Sequence, residues 1–287
     1  MACFKEGGLA MAIKIVADSG CDLTEDMKRN INVKQVPLLL HLKDKTYVDD
    51  ERLDIKEYIK EMAACEEAPK TSCPSPEDYK KKYEGPESVF VVTLSSHLSG
   101  SYNSAELGKK IFLEEAGNKF IHIFDSLSAS VGETLIVRKI HELSKLNLSD
   151  LDIVDKVTNY IKEMKTFFLL ESLEHLAKAG RISPIVAKVA SVLSIKPIMC
   201  GEDGNLKLAE KVRGYKKAFQ RLVDTIGEKG KNLEEKVLGI AHCNCVERAL
   251  QFKEEVLKRY NFKDIIIVEM GGLTSTYADD GGIVIAF

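Results

Sequence analysis

Strand-length apolar runs alternating with helix-period segments predict an α/β protein, with a parallel sheet flanked by helices in its first half. Three observations carry that reading over the 287 residues. The runs "AIKIVAD", "VFVVTL" and "KFIHIFD" are each followed by a segment of helical periodicity. Each run ends in a turn rich in Asp or Ser, at the sheet edge where such folds collect ligands. Past residue 155 the pattern changes, and "KPIMCGEDGNLKLAEKV" reads as a hairpin turning at Asp203-Gly204. The expected division is an extension over 1–11, a Rossmann-like α/β domain over 12–155, and a mixed α/β domain over 156–287.

Taken in order, "AIKIVADS" is a strand, and "DLTEDMKRNI" is a helix with Asp22 as its cap. "NVKQVPLLLHL" reads as one second strand, while "KDKTYVDD" alternates too weakly to assign. Ile55, Tyr58, Ile59 and Met62 mark an amphipathic helix. Ser75 suits the cap of a helix starting at Pro76. The strand "VFVVTL" leads through "SSHLSG" into a helix, and "KFIHIFDS" leads into the helix "ASVGETLIVRKIHELSKL". "SDLDIVDKVTNYIKEM" is read as the helix that crosses into the second domain. There "KTFFLLES", "KVLGIAHC", "DIIIVEMG" and "GGIVIAF" are strands. "LEHLAKAG", "PIVAKVASVLSI", "YKKAFQRLVDTIGEKG" and "VERALQFKEEVLKRY" are helices.

Composition narrows the function classes. Hydrophobic residues make up 45% and charged residues 30%, a globular balance. The net charge of −3 supplies no field toward nucleic acid or an anionic membrane, so contact with a membrane is expected to be peripheral or absent. No apolar run is long enough to span a bilayer, and the start lacks the apolar core of a secretory leader. The seven cysteines include Cys3 and form no disulfide framework, which suggests reduced thiols in the cytoplasm. "HCNC" at 242–245 lacks a second pair of metal ligands, so small residues at a strand end are the preferred reading and no metal or cofactor is expected.

The chemistry concentrates in the turns. "TLSSHLSGSYNSA" places hydroxyls and free N–H groups where a helix begins, which suits either an anion or a well-capped helix. It has neither the lysine of a phosphate loop nor the pattern of a nucleophile elbow. His97 lies too close in sequence to Ser95 for productive base–nucleophile geometry. In "KTSCPSP", Thr71, Ser72 and Ser75 can face a ligand or cap a helix. Asp18 and Asp125 can brace loop backbone or accept a ligand hydroxyl. Arg181 in "AGRIS" can cap carbonyls or meet an anion. The basic stretch Lys207–Arg221, with Glu210 as its one acid, reads as a solvated helix face or a docking surface for an acidic partner.

"KIVADSGCDLT", "VPLLL", "KTSCPSPEDY", "TLSSHLSGSYNSA", "FDSLSAS", "AGRIS", "SIKPI" and "KVRGYKKA" occur together in the order and rough spacing of the DegV family. The sequence resembles these bacterial fatty-acid-binding proteins, which include the B subunit of fatty acid kinase, over residues 12–287. The resemblance implies a non-catalytic carrier of a long-chain fatty acid, with the second domain completing the lipid site. Thr71 and Ser95 would be the hydroxyl ligands of the carboxylate, Ser96 a further donor and Gly100 the residue of close approach. Arg181 and Arg213 match positions of a kinase-related surface, where an ATP-dependent partner would form the acyl-phosphate. One departure stands out. The family's Gly-Thr-His-x-Gly-Pro-Gly segment corresponds to "STYADDGG", so Tyr277 replaces the histidine and Asp279-Asp280 replace Gly-Pro. A tyrosine still donates one hydrogen bond but carries no charge. The rival readings are an enzyme using the same turn with His97 or Asp18 as base, and an interaction module working through Lys207–Arg221.

Overall fold

The computed structural model describes residues 12–190 and 194–287; the expected extension over 1–11, with Cys3, lies outside the described residues. The chain opens with β1 (Ile13–Asp18), α1 (Glu25–Asn30), β2 (Val33–Val36), β3 (Leu39–Leu42) and β4 (Lys45–Val48). Next come α2 (Ile55–Ala64), β5 (Lys70–Ser72), α3 (Pro76–Lys82), β6 (Ser88–Thr93) and α4 (Ser101–Ala116). β7 (Ile121–Asp125), α5 (Val131–Ser144) and α6 (Asp150–Glu163) follow.

β2-β1-β6-β7 form a four-stranded sheet, parallel throughout. All six residues of β6 are buried, as a strand covered on both faces requires. α5 and α6 cover one face. Ile136, Ile140, Ile153 and Val157 pack there against Ile15 and Phe90. The division expected at 155/156 thus falls inside α6, whose apolar face packs on the parallel sheet.

Two local expectations change. Thr24, not Asp22, caps α1, accepting the Met27 N–H at 3.1 Å. Asp22 is buried instead, for reasons given below. The single strand expected over "NVKQVPLLLHL" is two, separated at Pro37, which has no N–H to continue the ladder. β2 stays with the parallel sheet. β3 turns away to pair antiparallel with both β4 and β5 in a small second sheet. "KTS" in "KTSCPSP" is therefore an edge strand, with Thr71 in register with Leu40. Ser75 does cap α3, in a reciprocal box with Asp78.

The second half contains β8 (Thr166–Leu169), α7 (Glu174–Lys178), α8 (Pro184–Ala190), β9 (Ile195–Glu202) and β10 (Asn205–Arg213). It continues with α9 (Tyr215–Lys229), β11 (Val237–His242), α10 (Val246–Leu257), β12 (Asp264–Glu269), α11 (Gly272–Ala278) and β13 (Ile283–Ala286). The mixed sheet runs β10-β9-β8-β13-β11-β12, with only β11 and β12 parallel. The β9–β10 turn is made by Asp203 and Gly204, both at positive φ (49° and 75°), as a tight hairpin turn demands. The basic stretch does not form one helix face. Lys207, Lys211 and Arg213 lie on β10, while Lys216, Lys217 and Arg221 lie on α9. Glu210 is the one acid within the stretch, and the Arg221 guanidinium meets it together with Asp224 and Glu228 from farther along α9. Of the helix expected over 184–195, α8 covers the first part, and 191–193 lie outside the described residues.

One face of the mixed sheet is closed by α9 and α10 through Phe219, Leu222, Phe252 and Val256. The other faces the first half. There Phe168, Met199 and Ala241 share a core with Ile59 of α2 and with Val131 and Leu135 of α5. α11 sits at this junction, and its glycine-, threonine- and serine-rich sequence is poor in helix formers. Its first turn is held from outside. Asp49 accepts the Gly272 and Leu273 N–H groups at 2.8 and 3.0 Å, and Asp22 accepts the Gly271 N–H at 2.7 Å and the Thr274 hydroxyl at 2.8 Å.

Asp49→Ala removes both N–H acceptors, each worth about 1.5–3 kcal/mol to a charged partner. Denaturant unfolding should show a loss of roughly 2–4 kcal/mol, and a loss below about 1 kcal/mol would mean that the clamp does not hold the two halves.

Candidate functional site

A cavity of about 400 Å³ opens at the junction of the two halves, within the range that holds small ligands. Its walls come from β5, the turns after β6 and β7, α11 and the inner face of the mixed sheet. The turn after β6 is a single coil of helix in which Leu98 and Ser99 donate backbone N–H bonds to the Ser95 carbonyl. This coil decides which serine faces the cavity. Ser95 is buried, and its hydroxyl donates to the Gly204 carbonyl at 2.8 Å, tying the turn to the β9–β10 hairpin. The Ser96 N–H is bound to Asp125 at 3.0 Å, tying the turn to the one after β7. Neither serine lines the cavity; Leu94, Leu98, Ser99 and Gly100 do. Gly100 caps α4 with no side-chain cap of its own, and the Ser99 hydroxyl accepts the Ser101 N–H at 3.2 Å where the helix begins, an acceptor role that leaves its O–H as a donor.

Asp18 underlies the same turn. Its carboxylate accepts the Leu94 N–H at 2.9 Å and the Ser101 hydroxyl at 2.5 Å, and Ser101 also meets the Tyr79 hydroxyl. Burial raises the Asp18 carboxyl, and burial together with the Asp18 charge pushes Glu133 well above its usual value. The Glu133 oxygens have no donor among the described residues. Asp18 is thus a brace of the turn, and it does not line the cavity. His97 is exposed and also outside the lining.

Two hydroxyls from opposite halves of the chain meet on the wall. The Thr71 hydroxyl from β5 lies 2.8 Å from the Tyr277 hydroxyl from α11, with Ser99, Gly100 and Cys73 on the same lining. The Arg181 side chain reaches the rim and donates to the Leu98 carbonyl at 3.0 Å and to Ala179. The two aspartates after Tyr277 are engaged elsewhere. Asp279 pairs with His175 at 2.9 Å and raises the imidazole, while Asp280 accepts from Asn244 at 3.0 Å. Neither lines the cavity. Arg213 is exposed at the end of β10.

The rest of the lining is mostly apolar, with Leu127, Phe168, Leu170, Leu176, Leu206 and Val284 among it. Among the described residues it contains no carboxylate and no imidazole, and Arg181 is its one charged side chain. Near the clamp, Ser130 and Thr274 reach the lining, and both donate to Asp22, at 2.5 and 2.8 Å. A patch of hydroxyls at the edge of an apolar space suits a small anion carrying a long apolar tail.

Among the described residues no group of three or more His, Cys, Asp or Glu is placed to hold a metal, the "HCNC" segment included. The His242 ring accepts the Cys245 N–H at 3.4 Å, and burial pushes the Cys243 thiol up to about 12. Among the described residues no helix is long and apolar enough to cross a membrane.

Comparison with known proteins adds the following. Residues 12–287 match the DegV family model, described as "Uncharacterised protein, DegV family". A DegV domain-containing protein of Streptococcus pneumoniae is 37% identical over 280 residues, covering 96% of this chain and 99% of its own. A DegV-family structure from Ruminococcus gnavus with vaccenic acid is similar at 40% identity and a TM-score of 0.92, over 96% of this chain and all of that one. The Streptococcus pneumoniae Fatty Acid Kinase (Fak) B3 protein loaded with linoleic acid is similar at 36% identity and a TM-score of 0.88, over 96% and 99%. A Eubacterium eligens DegV protein loaded with heptadecanoic acid is similar at 29% identity and a TM-score of 0.89, over 96% and 99%.

The clamp carboxyls make stability depend on pH. Burial pushes Asp22 up to about 7 and Asp49 up to about 6, against hydrogen bonds that pull both down. Each holds its proton more tightly in the folded chain than in the unfolded one. Their contribution is full below about pH 4, falls as pH rises through the interval, and levels off above the folded values. Asp22→Asn should flatten that fall, seen in denaturant unfolding at about pH 4.5 and about pH 8. An unchanged slope would contradict the assignment.

Proposed function

The chain belongs to the DegV family, and on that basis we propose that it is a carrier of a long-chain fatty acid. Its carboxylate is held by Thr71, Ser99 and Tyr277, beside Gly100, and its tail fills the apolar part of the cavity. The observation that carries this reading is the Thr71–Tyr277 hydroxyl pair on a leucine-rich lining that also holds Ser99. A carboxylate leaving water needs several donors, and three hydroxyls supply them. The tail contributes roughly 0.8 kcal/mol for each buried methylene. Fatty acids bound in similar DegV structures support the ligand class.

Ser95 and Ser96 take a different part from the one the resemblance implies. Their contacts hold the turn to the hairpin and to the neighbouring turn, and Ser99 meets the carboxylate in their place. Tyr277 replaces the family histidine as an uncharged donor. The described lining offers no carboxylate or imidazole to act as a base, which favours a carrier over an enzyme.

The carrier presents its lipid to an ATP-dependent kinase subunit, and Arg181 at the rim and the exposed Arg213 form part of that contact. Support comes from the similarity to a protein of a fatty acid kinase. Arg213→Glu should abolish acyl-phosphate formation with a fatty acid kinase subunit and leave the bound lipid unchanged; undiminished turnover would remove Arg213 from the contact.

Thr71→Ala and Ser99→Ala each remove a donor worth about 1.5–3 kcal/mol to a charged group, a loss of roughly 10- to 100-fold in affinity. Titration of octadecanoic acid into lipid-free protein measures it. Ser95→Ala should act mainly on stability. The reverse pattern, with Ser95→Ala weakening binding and Ser99→Ala silent, would return the carboxylate to Ser95.

A further inference from the structure

Among the described residues three glycines line the cavity, and the chain's own geometry accounts for two of them. Gly204 sits at φ +75° in the hairpin turn, and a Cβ there would lie 2.6 Å from the Ser95 hydroxyl. A Cβ on Gly100 would lie 3.0 Å from the Cys73 sulfur. Gly201 is different. It lies in β9, outside the positive-φ residues, with a backbone that any residue adopts. A Cβ there would meet nothing nearer than Thr166 Cβ at 3.6 Å and the Leu127 carbonyl oxygen at 3.8 Å, both ordinary contacts. Neither backbone nor packing demands a glycine at this position.

A glycine weakens the strand that carries it, and inside a strand it often marks a close approach by something else. Gly201 pairs with Leu206, whose side chain also lines the cavity. Met199, two residues back and so on the same face, pairs with Phe168, another lining residue. The missing side chain therefore opens a gap in the apolar wall.

We propose that the acyl chain occupies the gap at Gly201, and that this residue sets the longest fatty acid the cavity accepts. The inference rests on the fatty-acid reading above. It has an unusual consequence: a side chain at position 201 strengthens β9 and shrinks the site at once.

Gly201→Ala should raise the melting temperature of the lipid-free protein and weaken octadecanoic acid more than dodecanoic acid. Gly201→Leu should weaken octadecanoic acid by about 10-fold or more, with dodecanoic acid little changed. Both acids are titrated into wild type and variants, with thermal unfolding as the check on folding. If the leucine variant does not fold, the alanine variant decides by the same ratio. An octadecanoic-to-dodecanoic ratio equal to wild type in folded variant overturns the inference. Wild type binding neither acid overturns the fatty-acid reading instead.

Discussion

Two buried carboxylates, Asp22 and Asp49, hold the first turn of α11, and the geometry of the cavity depends on that grip. α11 is too short and too poor in helix formers to stand alone. Its unpaired N–H groups need acceptors, and the first half of the chain supplies them. The grip fixes where Tyr277 stands, and hence the pairing of Tyr277 with Thr71 across the junction. Desolvating two carboxyls is costly, which is why burial drives both upward despite their hydrogen bonds.

The same logic runs along the other wall. Asp18 holds the turn after β6 by the Leu94 N–H and the Ser101 hydroxyl, and Ser95 binds that turn to the hairpin. Buried acids and hydroxyls brace loops from behind, and the surface those loops turn to the cavity stays largely apolar. The polar residues of the turns thus fall into two sets. One set is spent on the scaffold; Thr71, Ser99 and Tyr277 line the space between the halves, Ser99 while also accepting the Ser101 N–H.

Much of this architecture is legible in the chain. The strands β1, β6 and β7 announce themselves by apolar runs, and their polar turns mark the edge where the cavity lies. The β9–β10 hairpin follows from Asp-Gly, and the cap of α3 from Ser75. Long-range partners hide the rest. The split at Pro37 is visible as a proline, but the antiparallel sheet around β3 depends on β5, some thirty residues away. α11 exists because of acids that precede it by more than 200 residues. Ser95 and Ser99 lie on one helical coil with near-identical local sequence. A carbonyl 109 residues away claims Ser95 and leaves Ser99 to the cavity. The basic stretch from Lys207 spans a strand and a helix, a break that charge counting does not see.

The central claim is that the space between the halves is built for one fatty acid. Native mass spectrometry of the intact protein, as purified and after solvent extraction, tests it most directly. The account predicts a single fatty-acid mass on each chain, removed by extraction and regained when octadecanoic acid is added. A chain that carries no lipid as purified and takes up none when offered would contradict it.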